Sequence, residues 1–260
     1  MLEWRRGTME TCHVSDNGVI TAAVLIIGDE ILSGRTKDRN IGTIASHLDA
    51  IGIRLCEVRI VADDTQEIVS AVNALRVRYT YLFTTGGIGP THDDLTADSI
   101  GAAFGVPVEI DPRAVGMMEP VYSARGIALT PARLRMARVP AGAELIPNGV
   151  TAAPGFSIGN VFVLAGVPDI MESMLQAATQ RLRTGSKINS VSIVLRQPEG
   201  EIADLFAAHQ AAYPDVAMGS YPSFTADGYR TELVLRSPDA VRLESARETL
   251  VRLLAEREFL

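Results

Sequence analysis

Cysteine is scarce in this chain, and so are long apolar runs and clusters of positive charge. Two cysteines among 260 residues cannot build a disulfide framework, so the default location is the cytoplasm. No stretch approaches 18 uninterrupted apolar residues, and the sequence therefore predicts no transmembrane helix and no membrane partner. A net charge of -7 argues against a nucleic-acid partner, which needs clustered Lys and Arg, but it permits a small anionic ligand at a local site.

Several motifs of nucleotide enzymes and hydrolases are also missing. The chain has no Gly-x-Ser-x-Gly elbow and no lysine-bearing phosphate loop. The glycines of Gly-Gly-Ile-Gly-Pro are not spaced as in the dinucleotide-binding fingerprint. The histidines His13, His47 and His209 lack metal-ligand spacing, and His92 is interpreted as a hydrogen-bonding loop residue. Kinase and dehydrogenase functions are therefore disfavoured.

The most informative stretch is 81–98, where a short apolar run ends in a glycine-rich turn followed by two adjacent carboxylates. Glycines in the Gly86–Gly89 turn allow backbone N–H groups to converge on an anion at the end of a strand. Asp93 and Asp94 would repel a phosphate there unless a divalent cation lay between the charges. The stretch predicts a phosphate–metal site. The alternative is that one aspartate only caps the following helix.

The order of predicted elements indicates the fold class. Predicted strands cover 21–27, 53–61, 81–85 and 161–165, and predicted helices cover 41–48, 68–75, 96–104, 112–125, 131–138 and 168 to about 183. Strands that alternate with helices predict right-handed crossovers and a parallel sheet covered by helices on both faces.

The domain organisation follows from changes in composition. We predict a disordered leader over 1–20, with Met9 as an alternative initiator, and a first domain over 21–184. Thr184–Ser186 has the composition of a linker. Residues 185–260 predict a smaller α+β domain, because 190–196 and 230–236 alternate like half-exposed strands while 201–212 and 240–255 fit helices.

Acidic residues follow three of the predicted strands. Ligands bind at the carboxyl ends of parallel strands, so we expect these acids to meet in one cleft. The acids are Asp29 and Glu30, then Asp63 and Asp64, then Asp93 and Asp94. Ordinary alternatives stay open, namely solvated surface charge for the first pair and helix capping for the second.

Other polar side chains near these strand ends have two interpretations each. Asp38 and Asn40 could cap a helix or contact a ligand. Thr84, Thr85 and Thr91 could donate hydrogen bonds to phosphate oxygens, or could be ordinary β-branched strand and turn residues.

Taken together, these segments resemble the molybdopterin-binding domain superfamily and, within it, the CinA (competence/damage-inducible protein) branch. The matching text is Gly28–Arg35 with Asp38 and Asn40, Val61–Asp64, Thr84–Thr96, Ala153–Phe156 and Gly166–Pro168. It extends over roughly 22–175 and is specific in combination. Residues 185–260, with the motif at 219–224, resemble the KH-like appendage of this branch, a name that describes topology and not RNA binding.

The resemblance implies a three-layer α/β/α molybdopterin-binding (MogA-like) domain that binds a pterin or nucleotide diphosphate. It also implies a homo-oligomer, dimer or trimer. Some CinA-type proteins carry a divalent-metal-dependent pyrophosphatase activity on ADP-ribose or related dinucleotides. The expected cofactor is therefore Mg²⁺, Mn²⁺ or Co²⁺, which would neutralise the diphosphate and activate water, with molybdopterin as the alternative ligand.

The residue roles expected from this resemblance fall into three groups. The catalytic residues are Asp94, Asp93 and Glu30, and the metal ligands are Asp94, Glu30 and Asp63. The nucleotide- or pterin-binding residues are Gly28, Asp29, Ser33, Gly34, Asp38, Asn40, Asp63, Thr84, Thr85, Gly86, Gly87, Gly89, Thr91, Gly155, Gly166 and Pro168.

Two departures from the family pattern bear on catalysis rather than on the fold. Ile170 replaces the usual Glu of the Pro-Gly-Val-Pro-x-Glu-Met motif, and Thr151 stands where relatives commonly have Gly. Three functions remain: pyrophosphate hydrolysis, which we prefer; non-catalytic molybdopterin or nucleotide binding, which Ile170 favours; and adenylylation of molybdopterin, against which the C-terminal unit argues. The nicotinamide mononucleotide deamidase domain of full-length CinA proteins does not fit in this chain, so we expect that activity to be absent.

Overall fold

A computed structural model describes residues 19–225 and 228–260, which form two compact units, one ending at Gly185 and the other spanning Ser186–Leu260. The leader predicted over 1–20 lies outside the described residues except for Val19 and Ile20. Ile20 is buried and its carbonyl accepts a 2.9 Å hydrogen bond from the Arg54 N–H, so the folded domain begins slightly earlier than predicted. Within the described residues, no helix is both long and apolar enough to cross a membrane.

The first unit alternates strands and helices over most of its length. Its elements are β1 (Thr21–Ile27), α1 (Asp29–Leu32), α2 (Asn40–Ala50), β2 (Arg54–Val61), α3 (Thr65–Arg78), β3 (Tyr81–Thr85), α4 (Thr96–Phe104), β4 (Val108–Ile110), α5 (Pro112–Ala124), α6 (Pro131–Leu134), a 3₁₀ turn (Arg135–Ala137), β5 (Arg138–Pro140), β6 (Glu144–Ile146), β7 (Gly155–Ile158), β8 (Val161–Leu164) and α7 (Pro168–Thr179).

These strands form a central six-stranded sheet in the order β2-β1-β3-β8-β7-β6, while β4 and β5 pair separately. β1 runs parallel to β2 and β3, and β3 runs parallel to β8, as the alternation of strands and helices predicts. The parallel arrangement does not extend to the far edge of the sheet, where β7 is antiparallel to both β8 and β6. A tight turn joins β7 directly to β8, which leaves no room for the crossover that parallel strands need.

Helices cover both faces of the sheet, which confirms the three-layer architecture. Every residue of β1 after Thr21 is buried, because its side chains alternate between two cores. Leu25 packs with Ile68 of α3 and Ile100 of α4, while Val24 packs with Ile44 of α2. A strand covered on both faces needs a continuous apolar run, and this is the signal that identified it.

The sequence predictions fail in the short elements between α4 and β8. In place of the single helix predicted over 131–138, the structure has the short helix α6 followed by a 3₁₀ turn. The helical segment stops there because Arg138 begins β5 and pairs with Asp98 of α4 through two 2.6 Å hydrogen bonds. β4, β5, β6 and β7 were not predicted. Each has only three or four residues, which is too short to establish an alternation of apolar and polar positions.

The second unit consists of β9 (Asn189–Leu195), α8 (Glu199–Ala212), β10 (Ala217–Thr225), β11 (Gly228–Ser237) and α9 (Ala240–Ala255). Its sheet is antiparallel, in the order β10-β11-β9, and the α+β class of this unit is confirmed. Leu233 and Leu235 of β11 pack with Ile202 of α8 and Leu250 of α9 in a core of its own.

Candidate functional site

A cleft of about 550 Å³ opens where β1, β3 and β8 end, in the position expected for a ligand site in such a sheet. The residues that line it are Ile27, Gly28, Glu30, Thr36, Asp63, Gly86, Gly87, Ile88, Gly89, Pro90, Asp93, Asp94, Tyr122, Met136, Thr151, Ala153, Pro154, Ala165, Gly166, Val167, Pro168, Ile170 and Met174. Acids that follow three different strands therefore meet at one cleft, as the sequence predicts.

The Gly86–Gly89 turn crosses one side of this cleft in a conformation that requires glycine. Gly86 and Gly87 have φ values of 100° and 66°, in the left-handed region that other residues avoid. A Cβ at Gly86 would also lie 2.1 Å from the carbonyl oxygen of Ile27, at the end of β1. The turn can therefore pass directly over the neighbouring strand only because Gly86 has no side chain.

Thr96, the first residue of α4, holds this turn in place through two hydrogen bonds. Its backbone N–H donates to the Gly87 carbonyl at 3.0 Å, and its hydroxyl donates to the Gly86 carbonyl at 2.9 Å. Thr96 is fully buried. It was not among the predicted site residues, and a threonine at a helix start does not by itself distinguish this role from capping.

Asp94 organises the loop that follows the turn. One of its carboxylate oxygens accepts a 2.6 Å hydrogen bond from the Gly89 N–H, and the other accepts from the N–H and hydroxyl of Thr91 at 2.7 and 2.6 Å. Arg135 closes the loop by donating to the Thr91 carbonyl at 3.0 Å. Both oxygens of Asp94 therefore already accept hydrogen bonds within the loop.

Hydrogen bonding also distinguishes the N–H groups of the turn. The Gly86 N–H donates to the Leu164 carbonyl at 3.3 Å, and the Gly89 N–H donates to Asp94. In the part of the chain that the structure describes, the N–H groups of Gly87 and Ile88 have no protein acceptor. These two groups are the ones available to an anion.

Asp63 also lines the cleft and is close to several other acids. It accepts a 3.0 Å hydrogen bond from the Asp29 N–H, which joins the ends of β2 and β1. Burial raises the pKa of the Asp63 carboxyl above its usual value, and the charges of Asp29, Glu30 and Asp93 raise this pKa further. A cation in the cleft would relieve this repulsion.

The acids are close enough to repel one another but do not form a complete metal site. Among the residues described, no three His, Cys, Asp or Glu side chains are placed to hold one ion together. Mg²⁺ is commonly held by one or two carboxylates and completes its coordination with substrate phosphates and water. Glu30, Asp63 and Asp93 all line the cleft, and one or two of these carboxylates, with the phosphates of a bound ligand, would suit a cation held in that way.

Several polar residues and glycines near the strand ends have clear structural roles. Asp38 accepts a 2.8 Å hydrogen bond from the Ile41 N–H at the start of α2, and Asp64 accepts from the first turn of α3. Asn40 is buried and donates to the Gly166 carbonyl at 2.8 Å, so it supports the cleft from below. A Cβ at Gly155 would meet the Val163 carbonyl at 2.4 Å, so this glycine allows close strand pairing.

The full set of predicted site residues divides between the cleft and its surroundings. Those that line the cleft are Gly28, Glu30, Asp63, Gly86, Gly87, Gly89, Asp93, Asp94, Gly166 and Pro168, and those that do not are Asp29, Ser33, Gly34, Asp38, Asn40, Thr84, Thr85, Thr91 and Gly155. Thr84 and Thr85 are fully buried in β3, and neither hydroxyl has a hydrogen-bond partner among the described residues. His92 is almost fully exposed, consistent with a loop residue.

Part of the cleft lining comes from α5 and the 3₁₀ turn, which the sequence analysis did not identify as site segments. Tyr122 of α5 and Met136 of the 3₁₀ turn provide an aromatic ring and a flexible apolar side chain. The loop at 148–153 is held by Asn148, whose side-chain Oδ1 accepts from the Thr151 N–H at 2.7 Å. Thr151 and Ile170, the two departures from the family pattern, both line the cleft. Helical spacing alone could not show that Tyr122 of α5 lines the cleft.

Fold and site together define an α/β protein with a small-molecule cleft at its strand ends. The family described as "Probable molybdopterin binding domain" matches residues 23–184, and the family described as "FAD synthase, middle domain" matches residues 187–260. The chain belongs to the molybdopterin-binding domain family, in its CinA-type branch.

Individual relatives agree with this assignment. A protein of Aeropyrum pernix is 32% identical over 242 residues, which is 90% of this chain and 90% of that protein. A CinA-like protein of Desulfosudis oleivorans is 34% identical over 209 residues, 76% of this chain, and the match spans about half (51%) of that protein. The crystal structure of the protein CinA, of unknown function, from Thermoplasma acidophilum is 35% identical and has a TM-score of 0.57, with 62% of this chain and 96% of that chain covered.

Proposed function

We propose that this protein is a divalent-metal-dependent hydrolase of nucleotide pyrophosphate bonds, with ADP-ribose or a related dinucleotide as substrate. The observation that carries the proposal is the meeting of the glycine turn with several carboxylates in one cleft, where burial and, to a lesser extent, neighbouring like charges raise the pKa of Asp63. Acids around an anion site are unfavourable without a cation, and a cation together with a diphosphate balances the charges of this cleft.

The backbone of the turn would hold the diphosphate. The N–H groups of Gly87 and Ile88 are the donors left available, since those of Gly86 and Gly89 donate within the protein. Asp94 keeps this arrangement in place through its hydrogen bonds to Gly89 and Thr91. We therefore assign Asp94 a positioning role in addition to its predicted role as a metal ligand.

Acids that line the cleft would hold the cation and orient water. When bound, Mg²⁺, Mn²⁺ or Co²⁺ supplies charge neutralisation for the diphosphate and lowers the pKa of an attacking water. Asp63 and Glu30 follow β2 and β1, respectively, and Asp93 follows the turn, so the three approach the cleft from different segments. The carboxylate of Asp63 has its orientation fixed by the Asp29 N–H.

The apolar wall would receive the base, sugar or pterin. Tyr122 offers an aromatic face, and Met136 and Ile88 offer adaptable apolar surface beside it. Planar rings commonly bind against such side chains, with a few polar groups fixing their orientation. Because the residues matched to the FAD synthase middle domain follow directly, FAD belongs among the substrates to test.

A second candidate function is a non-catalytic module that binds molybdopterin or a nucleotide. Ile170 supports it, since an apolar side chain lines the cleft where the family pattern has an acid. Adenylylation of molybdopterin is the third candidate. Failure to form an adenylylated pterin from ATP would remove that candidate.

The experiment that separates these functions is an incubation of the purified protein with ADP-ribose, FAD and NAD. Each substrate is combined with Mg²⁺, Mn²⁺ or Co²⁺, with a parallel EDTA arm, and AMP release is followed by chromatography. We expect AMP only in the metal arms. Hydrolysis that survives EDTA would contradict the mechanism, and tight ligand binding with no AMP would establish the binding module.

The proposal includes a cytoplasmic location and a homo-oligomeric state. Cys56 is a free, exposed thiol, which suits a reducing compartment. The related chains are expected to assemble as dimers or trimers, and light scattering on the purified protein would measure the state of this one directly.

A further inference from the structure

The edge of the main sheet at β2 has the features of a self-pairing surface. β2 is the last strand of the order β2-β1-β3-β8-β7-β6, and its strand partner within the described residues is β1. Its other edge presents backbone groups that a further strand can pair with. Most proteins cover such an edge or place residues along it that prevent pairing. The residues of β2 therefore determine whether a second strand can pair with it.

The backbone groups that face outward can be identified from one hydrogen bond. The Val61 carbonyl accepts from the Gly28 N–H at 3.2 Å, so the backbone polar groups of Val61 face β1. Successive residues of a strand direct these groups to opposite sides. Arg59 and Glu57 therefore also face β1, whereas the N–H and C=O groups of Val58 and Ile60 face the open edge.

The side chains of the same residues divide by face. Val58 and Ile60 pair with Val24 and Ile26 of β1, yet they are 38% and 39% exposed, an unusual position for apolar residues of a central sheet. Glu57 and Arg59 lie on the opposite face and contact each other at 2.6 Å. Glu57 is held further by the hydroxyl of Tyr79 at 2.6 Å.

We propose that β2 pairs with β2 of a second copy of this chain, antiparallel about a two-fold axis at Val58, to form one continuous sheet across the dimer. In this register Glu57 lies opposite Arg59 of the second copy, and Arg59 lies opposite its Glu57. Val58 lies opposite its own symmetry mate as a hydrogen-bonded pair, because its backbone groups face outward. Opposite charges directly across from each other stabilise antiparallel strands.

The neighbouring registers are disfavoured by the same two residues. A two-fold at Glu57 places that carboxylate opposite itself, and a two-fold at Arg59 places two guanidinium groups opposite each other. Like charges directly across are destabilising. Charged residues on an edge strand usually prevent pairing with another chain. Here the order of Glu57 and Arg59 instead favours the register in which opposite charges face each other and Val58 faces its symmetry mate.

The geometry also limits the strength of the interface. The pairing with β1 is irregular between Ala22 and Ala23, which leaves Cys56 as the extra residue on β2 and confines regular pairing to 57–61. An interface formed by one short strand and its flanks is small, so we expect a dissociation constant on the order of micromolar. The dimer is independent of the proposed hydrolase activity, and each can fail without the other.

Charge reversal and mixing test the interface directly. Sedimentation velocity over 1–100 µM, a range set by that affinity, should show a monomer–dimer equilibrium for the wild type. Glu57→Arg and Arg59→Glu should each be monomeric at concentrations where the wild type is dimeric. An equimolar mixture of the two variants restores both opposite-charge pairs and should restore dimers, which a folding defect would not do. The combined variant with both changes should dimerise like the wild type.

A backbone substitution supplies the second test. Val58→Pro removes the N–H that faces the open edge and leaves the bonds to β1 intact, so the variant should fold and remain monomeric. Circular dichroism and the thermal midpoint confirm its folding. A wild type that is monomeric throughout the range would overturn the proposal. So would a dimer that persists in Val58→Pro, or variants that do not pair on mixing.

Discussion

Asp63 Oδ2 accepts a 3.0 Å hydrogen bond from the backbone N–H of Asp29, and this contact joins the ends of β2 and β1 beside the cleft. It fixes a carboxylate where burial and three neighbouring acids work against its charge. In sites that bind cations, such electrostatic repulsion often destabilises the free protein, and the bound cation relieves it.

Asp63→Asn should stabilise the free protein at neutral pH. The asparagine oxygen can still accept from Asp29, while the buried charge is removed. The pKa of Asp63 is raised in the folded state. Between the ordinary and the raised pKa, the native protein therefore binds more protons than the unfolded chain. The free energy of unfolding of the wild type falls as the pH rises through this window. The advantage of the variant should therefore vanish below the ordinary pKa of Asp. Urea unfolding at pH 3.5–8, a range that brackets the ordinary Asp value, measures it.

The matched control for this variant is Asp64→Asn, because Asp64 caps α3 and does not line the cleft. Asparagine is also a good cap, so its stability should change little and should show no added pH dependence. An Asp63→Asn variant that is no more stable than the wild type at pH 7 would show that the like charges are already relieved.

Gly86→Ala should disrupt the site and lower the free energy of unfolding by more than ~2 kcal/mol, because the new Cβ meets the Ile27 carbonyl and φ is 100°. Gly42→Ala is the matched control, since Gly42 lies within α2 with nothing near its Cβ position. That substitution should stabilise the protein by about 0.5–1 kcal/mol. Thermal unfolding of both variants checks the contrast. Equal effects would mean that the turn does not adopt this conformation.

Thr85→Val and Thr96→Val should act in opposite directions. The Thr85 hydroxyl is buried without a partner among the described residues, so replacing it with a methyl group should be neutral or stabilising by up to about 1 kcal/mol. The Thr96 hydroxyl donates to Gly86, so its removal leaves a carbonyl unpaired and should cost about 1–2 kcal/mol. Denaturant unfolding gives both values. Loss of ligand binding in a stable Thr85→Val protein would support the original prediction that this hydroxyl binds phosphate.

The sequence identified the parts of the fold whose physical signal is local. β1 was recognisable because a strand buried on both faces must be apolar throughout. The turn was recognisable because closely spaced glycines indicate a backbone conformation that other residues avoid. What could not be predicted depends on neighbours distant in the chain. The roles of Asp93 and Asp94 illustrate this, since adjacency gives no reason for one to be open to the cleft while the other accepts three hydrogen bonds within the loop. Tyr122 and Met136 likewise reach the cleft only through the packing of α5 and the 3₁₀ turn.

The central claim is that acids of this cleft hold a cation against a diphosphate and so permit its hydrolysis. Its most direct test is a single-turnover measurement of AMP release from ADP-ribose in Mn²⁺, comparing the wild type with Asp63→Asn and Asp64→Asn. We predict AMP release by the wild type and by Asp64→Asn, and a loss of at least about 100-fold in Asp63→Asn, as expected when a group that orients the cation is removed. Equal rates in all three proteins would contradict the account.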